Sequence, residues 1–194
     1  ILNKVNHNIA RKNLLKYQQL VILSFDHIGL KINLDGRYEN DLLEVLENFI
    51  KKRIPNSKYI SVLDIGANIG NHSIFFSNFF KKVYAFEPNP ITYEILKINS
   101  KYVCERKNII TYNYGLSDKS EKVFFLENRS NIGGSKIISN KEYSLNNKNV
   151  FSLDVICADE LEDLKNVKIG LIKIDVEGHE LKTLYGCERL IKKN

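Results

Sequence analysis

The sequence contains no methionine and no tryptophan, and only three prolines, three cysteines and six arginines among 194 residues. Cys104, Cys157 and Cys187 are odd in number and far apart, which excludes a disulfide framework and a cysteine-based zinc knuckle. Unpaired thiols point to a reducing compartment, and a cytoplasmic location is expected. No run of 18 uncharged apolar residues occurs, so a membrane-spanning helix is excluded. The apolar segment Leu20–Leu23 is too short for the core of a secretory signal, and no small-residue cleavage site follows it. The formal net charge is +6, but it comes from 23 lysines, and nucleic-acid readers lean on arginine for bidentate base contacts. Lysine, asparagine and isoleucine are abundant together, as AT-rich codon usage produces, so nucleic acid is not expected as a partner. With no methionine at position 1, the chain is expected to begin inside an open reading frame or after a processed tag.

What is present is ordinary globular material, 43% hydrophobic and 27% charged, the size of one domain with a short appendage. Residues 1–37 read as a mixed lead-in, with Leu14-Leu15 and the 20–23 run suggesting a helix or strand, and residues 38–194 as the main domain. Leu42, Leu43, Val45, Leu46, Phe49 and Ile50 recur at helical spacing. Asn40 or Asp41 is expected to cap that helix, with Glu44 in capping-box position, and Pro55-Asn56 breaks it. From residue 60 short apolar runs alternate with helical patterns. Strands are expected at 59–63, 83–86, 108–114 and 169–174, with additions at 122–126 and 149–153. Helices are expected at 74–80, 91–102, 159–164 and 181–190, the last interrupted by Gly186. The polar segment 127–149 reads as a long loop, either a binding loop or a disordered insertion. The alternation predicts an α/β fold: a doubly wound, Rossmann-like, mainly parallel sheet with helices on both faces.

In such sheets ligands bind beyond the carboxyl ends of the strands, where the strand order reverses. Asp64, Glu87 and Asp175 each punctuate the end of an apolar run, and glycines flank the first. The turn Asp64-Ile65-Gly66-Ala67-Asn68-Ile69-Gly70-Asn71 lacks the dinucleotide fingerprint, because asparagine stands at 68 and 71 where glycine is needed for a diphosphate to approach. What remains is a sharp turn that lets a ligand lie against the backbone, preceded by an aspartate able to accept from an ammonium group. Glu87, 21 residues past Gly66, can accept both hydroxyls of a ribose. A ribonucleoside with a cationic, phosphate-free tail fits these groups, and S-adenosylmethionine has that chemistry.

Five segments then occur in order: Asp64–Gly70, Phe86-Glu87-Pro88-Asn89-Pro90, Asn113–Asp118, Asn131–Gly134 and Ile172-Lys173-Ile174-Asp175-Val176-Glu177-Gly178-His179-Glu180. The set resembles the FkbM family of S-adenosylmethionine-dependent methyltransferases over roughly residues 38–192, and the Lys-Ile-Asp-Val-Glu-Gly segment is its most particular part. Tyr38-Glu39 and the following helix look like the family's lead-in. The resemblance implies that Asp64, Gly66, Ala67, Asn68 and Gly70 line the methionine end of the cofactor. It implies that Glu87 with Pro88 holds the ribose, and that Asn113 to Ser117, Leu116 included, borders the adenine. Asn71 and His72 open the next helix, where their amides can help hold the cofactor carboxylate. Family members continue past the Leu-Lys-x-Leu-x-Gly segment into an edge hairpin. That hairpin is expected to be missing here, so the chain is expected to be part of a longer, multidomain protein.

At the methyl-transfer end, Asp175 is the first candidate to orient or deprotonate a hydroxyl and His179 the second; Glu177 can orient either or face the sulfonium. Lys173 shares a strand face with Asp175 and can pair with it. The spacing of these acids and the histidine fits no closed metal site, and no metal is expected. The Asp175–Gly178 segment is not the Pro-Pro-aromatic type used in base N-methylation. The family implies O-methylation of a sugar, glycan or natural-product hydroxyl. The competing readings are a catalytically silent nucleoside-binding domain and a nicotinamide-dependent oxidoreductase.

Overall fold

All five residues of β1 (Ser61–Ile65) are buried, as a strand covered on both faces requires. The computed structural model describes residues 2–24, 26–128, 131–138 and 147–194. The β1 strand pairs in parallel with β2 (Lys82–Phe86) and β8 (Ile169–Ile174), and β2 pairs in parallel with β3 (Ile109–Tyr112), giving the order β3-β2-β1-β8. The chain therefore steps from β1 to β2 to β3 on one side and returns to the other side at β8. The order reverses at β1, which opens a crevice at the carboxyl ends of β1 and β8.

Alternate residues of β1 face opposite layers. Val62 packs with Val83 against Leu43 and Ile50 of α3 (Asn40–Arg53) and Phe76 of α4 (Asn71–Ser77). Leu63 and Ile65 pack with Tyr84 and Phe86 against Leu164 and against Leu190 of α7 (Glu188–Lys193). Of two further helices, one lies in the lead-in beyond the 20–23 run, where no helix was expected, and the other stands near the expected 91–102 segment. The helix α2 (His27–Asp35) is capped by Asp26, whose side chain accepts from the Ile28 amide, and Gly36 ends it at φ +86°. The helix α5 (Pro90–Ile98) starts with an Asn89 cap and proline in the first turn. The remaining helices are α1 (Leu2–Lys16), ahead of α2, and α6 (Glu180–Gly186), between β8 and α7.

A second, smaller sheet has the order β4-β7-β5-β6, from β4 (Gly115–Leu116), β5 (Glu121–Leu126), β6 (Lys136–Ile138) and β7 (Val150–Ile156). Its β5–β6 and β5–β7 pairs are antiparallel.

Several expectations are corrected. Asp64 lies inside β1 and not after it. The α3 cap is Glu39, which makes no side-chain cap bond, because the Asn40 carboxamide is occupied by Tyr17, Arg37 and Glu44. The helix expected to Tyr102 passes into a π turn at Asn99–Val103. There Asn99 turns inward to bond Ile69 and Val21, so the 20–23 run is held in neither helix nor sheet. Residues 159–164 form two 3-10 turns, and the last helical stretch divides at Cys187. The loop expected at 127–149 contains a 3-10 turn and β6; its residues 129–130 and 139–146 lie outside the described residues.

Candidate active site

A cavity of about 300 Å³ opens at the switch point, the size of a small-molecule site. Its floor is the glycine turn after β1, from Ile65 to Ile69. One wall is Glu87-Pro88-Asn89 after β2 with Leu116, and another is Lys173, Asp175, Val176, Glu177 and His179 at the end of β8. His27, Ile28, Tyr38 and Glu39 come from ahead of β1, and Asn131 to Gly133 lie against Ile28 beside them. Asp26 pins these last two parts together, since its Oδ1 accepts from the Ile132 amide at 2.8 Å while Oδ2 caps α2.

The turn is made by donors spent inside the protein. Gly66 and Ala67 donate their amides to Phe86 O (3.0 and 2.9 Å), and Gly70 donates to Ala67 O (2.9 Å). Asn68 donates its amide to Glu87 Oε2 (2.8 Å), and Ile69 donates to the Asn68 carboxamide oxygen (2.8 Å). Glu87 Oε1 accepts from the Asn89 amide and the Thr92 hydroxyl, both at 2.9 Å. Burial pushes the Glu87 carboxyl above its ordinary range, and these three donors oppose that rise. A diphosphate laid on this turn would meet no uncommitted amide from 66 to 70 and would face the Glu87 carboxylate.

Asp64 is fully buried and does not line the cavity. The ammonium it was expected to meet is supplied by the protein itself. Lys173 Nζ lies 3.3 Å from Asp64 Oδ1, donates to Gly66 O at 2.8 Å and sits 3.6 Å from Asp175 Oδ2. Ser73 donates to Asp64 Oδ2 at 2.5 Å. Gly70, Asn113 and Ser117 also stand behind the cavity lining. Asn113 donates to the Glu87 and Pro88 carbonyls (3.0 and 3.2 Å), fixing the wall from outside. The remaining expected residues, Gly66, Ala67, Asn68, Asn71, His72, Glu87, Pro88, Leu116, Asp175, Glu177 and His179, all line it. Sequence reasoning left out His27, Tyr38, Glu39 and the Asn131–Gly133 wall as site residues; the Tyr38-Glu39 and Asn131–Gly134 resemblances were the available signals.

His179 is buried and its Nε2 lies 2.9 Å from Ser117 Oγ. Ser117 donates its hydroxyl hydrogen to Asp118 Oδ1 at 3.0 Å, so Nε2 must carry the hydrogen and Nδ1 the lone pair. Burial lowers the His179 pKa below the usual imidazole value. The unfolded chain therefore takes up a proton near pH 6.5 that the folded imidazole refuses, and stability from this group is lost as pH falls below that point. The expected outcome is that wild type loses stability relative to His179→Gln between pH 7 and 5, measured by urea unfolding across that range. A constant difference would refute it.

Three of the four non-glycine residues with positive φ among the described residues line this cavity: Glu39 (+53°), Asn68 (+50°) and Glu177 (+47°). Such backbone costs about 1–3 kcal/mol per residue and collects at ligand sites. Fold and cavity together define a doubly wound α/β domain with an acidic ligand site at its switch point. The chain belongs to the FkbM methyltransferase family, since a model of the methyltransferase FkbM domain matches residues 64–194. It is 36% identical over 130 residues to the hexuronic acid methyltransferase AglP of Haloferax volcanii, a match covering 66% of this chain and 50% of AglP. The chain thus spans about half the length of that curated relative. Among solved structures, methyltransferase FkbM of Methylobacillus flagellatus is 20% identical with TM-score 0.47, matched over 70% of this chain and 30% of its own. A StiE O-MT segment is 11% identical with TM-score 0.31, over 65% of this chain and 61% of its own. Among the described residues no helix is long and apolar enough to cross a membrane.

Proposed function

We propose that this chain binds S-adenosylmethionine in the switch-point cavity and directs O-methylation of a hydroxyl on a sugar or glycan. The carrying observation is the glycine turn itself, whose amides 66–70 are all committed within the protein and whose neighbour is the Glu87 carboxylate. This donor set suits a nucleoside without phosphate and disfavours a nicotinamide dinucleotide. The methyl donor, when bound, supplies an electrophilic methyl group on a sulfonium. Glu87 with Pro88 would hold the ribose, and the amino-acid end would lie over the Gly66–Asn68 turn toward Asn71 and His72 at the start of α4. Leu116 would border the base. Asp175 and Glu177, at the end of β8, would face the acceptor and orient its hydroxyl; good orientation alone can contribute about 7–11 kcal/mol. The hexuronic acid activity of the relative AglP favours a carbohydrate acceptor.

Calorimetry with S-adenosylmethionine tests the reading. Glu87→Gln is expected to weaken binding by about 1.5–3 kcal/mol, the worth of a charge-assisted hydrogen bond, or roughly 10- to 150-fold. No heat with the wild-type chain would remove the reading, and unchanged affinity in the variant would remove Glu87 from the ribose.

A further inference from the structure

The family match begins at residue 64, yet the cavity is closed by a carboxylate from position 39. Glu39 is held there deliberately. Its neighbour Tyr38 exchanges two hydrogen bonds with the Asn71 side chain, Tyr38 N to Oδ1 at 3.1 Å and Nδ2 to Tyr38 O at 3.0 Å. The clamp fixes the chain in the left-handed region at Glu39 (φ +53°, ψ +44°), where a glutamate is strained. The Glu39 side chain then meets His72, with Oε2 3.2 Å from Nε2. The imidazole is buried beneath it, and that burial lowers the His72 pKa, which favours a neutral ring packed against the carboxylate. The Glu39 pKa is raised by burial and then by Asp175, against the pull of Lys173.

Two of the other cavity carboxylates, Glu87 and Asp175, are less suited to taking a proton. Glu87 is occupied by three protein donors. The Asp175 side chain is 61% exposed against 36% for Glu39, and the Lys173 ammonium lies 3.6 Å from it. We propose that Glu39, positioned by His72, accepts the proton of the acceptor hydroxyl during methyl transfer, so that the segment ahead of the family-matched region supplies the base. This rests on the methyl-transfer reading above. The acceptor oxygen forms its bond to the methyl carbon as the carbon–sulfur bond breaks, and that bond's electron pair returns to sulfur, which becomes a neutral thioether. The hydroxyl proton moves to Glu39 and leaves to solvent afterwards. A carboxylate acceptor has no proton to give and would face Glu39, Asp175 and Glu177 together, so a hydroxyl is the oxygen this arrangement suits.

The groups around Glu39 are Asp26, His27 and Tyr38 from the lead-in, His72 on α4, Asp64 on β1, Lys173 and Asp175 at β8, and Glu177 beyond it. The test combines three measurements. Carbon-13 NMR titration of the Glu39 carboxyl in the wild-type chain should place it above the ordinary glutamate value, and Asp175→Asn should bring it down. Glu39→Gln should bind S-adenosylmethionine within about threefold of wild type by calorimetry. With tritiated methyl donor and p-nitrophenyl glucuronide as acceptor probe, the variant should lose about 10²–10⁴-fold in kcat, and the acidic limb of the pH profile should vanish. The labelled product should be an alkali-stable ether and not an ester. A Glu39 carboxyl titrating in the ordinary range overturns the proposal even if the probe is not methylated. Wild-type kcat in Glu39→Gln also overturns it, as does loss of cofactor binding, which would make Glu39 a cofactor ligand. An absence of cofactor binding by wild type strikes the methyl-transfer reading itself.

Discussion

Lys173→Met is expected to lower the unfolding free energy by about 3–5 kcal/mol, the range for removing one partner of a buried ion pair. Asp64 is fully buried in the central strand, and Ser73 supplies the hydrogen bond to its Oδ2. Its Oδ1 has no well-aligned hydrogen bond, so the Lys173 ammonium at 3.3 Å serves as an electrostatic partner. The same ammonium donates to the Gly66 carbonyl, so its loss frees the glycine turn as well. Urea unfolding of the single variant and of the double variant Asp64→Asn/Lys173→Met separates these effects. The double variant should recover part of the loss, because no uncompensated charge remains in the strand. A single-variant loss under about 1 kcal/mol would show that Asp64 is not ionised or that water reaches it.

That ion pair also explains a boundary the sequence misplaces. Local pattern reading ends the first strand before Asp64, because an isolated charge does not belong in a doubly covered strand. The compensating charge is 109 positions away, directly across the ladder, where Asp64 and Lys173 are register partners on β1 and β8. A pairing at that separation leaves no trace in local periodicity. The alternation of apolar runs with helical faces, in contrast, is local, and β1, β2, β3 and β8 stand close to where it puts them. The strand-end residues Glu87 and Asp175 were legible for the same reason, since polar punctuation after an apolar run marks the crevice. Glu39 was not, because it reads as an ordinary acid at a helix start. Only the Asn71 clamp and His72, 33 residues downstream of Tyr38 and Glu39, turn it into the cavity. The antiparallel β5–β6 pairing was hidden by the polar composition of 127–135.

Gly66→Ala is expected to be the more damaging of two glycine substitutions made at similar backbone angles, and the comparison isolates a packing effect. Both Gly66 (φ +75°) and Gly178 (φ +89°) lie in the left-handed region, where a β-carbon costs about 1–2 kcal/mol. At Gly178 a β-carbon would meet nothing within 4 Å, so Gly178→Ala should lose only that amount. At Gly66 it would stand 1.8 Å from the Asp175 carbonyl oxygen, which is main chain and has no rotamer to turn away. The carbonyl could move only with the end of β8, where the Asp175 amide donates to Ile65 O at 3.0 Å and Lys173 reaches Gly66 O. Gly66→Ala should therefore exceed Gly178→Ala by at least about 2 kcal/mol in urea unfolding, near the top of the usual range for a single substitution. It should also weaken S-adenosylmethionine binding, because the same shift moves the cavity floor against its β8 wall. Equal losses in the two variants would mean that the strand ends separate freely, and that the contact between Gly66 and Asp175 does not set the geometry of the site.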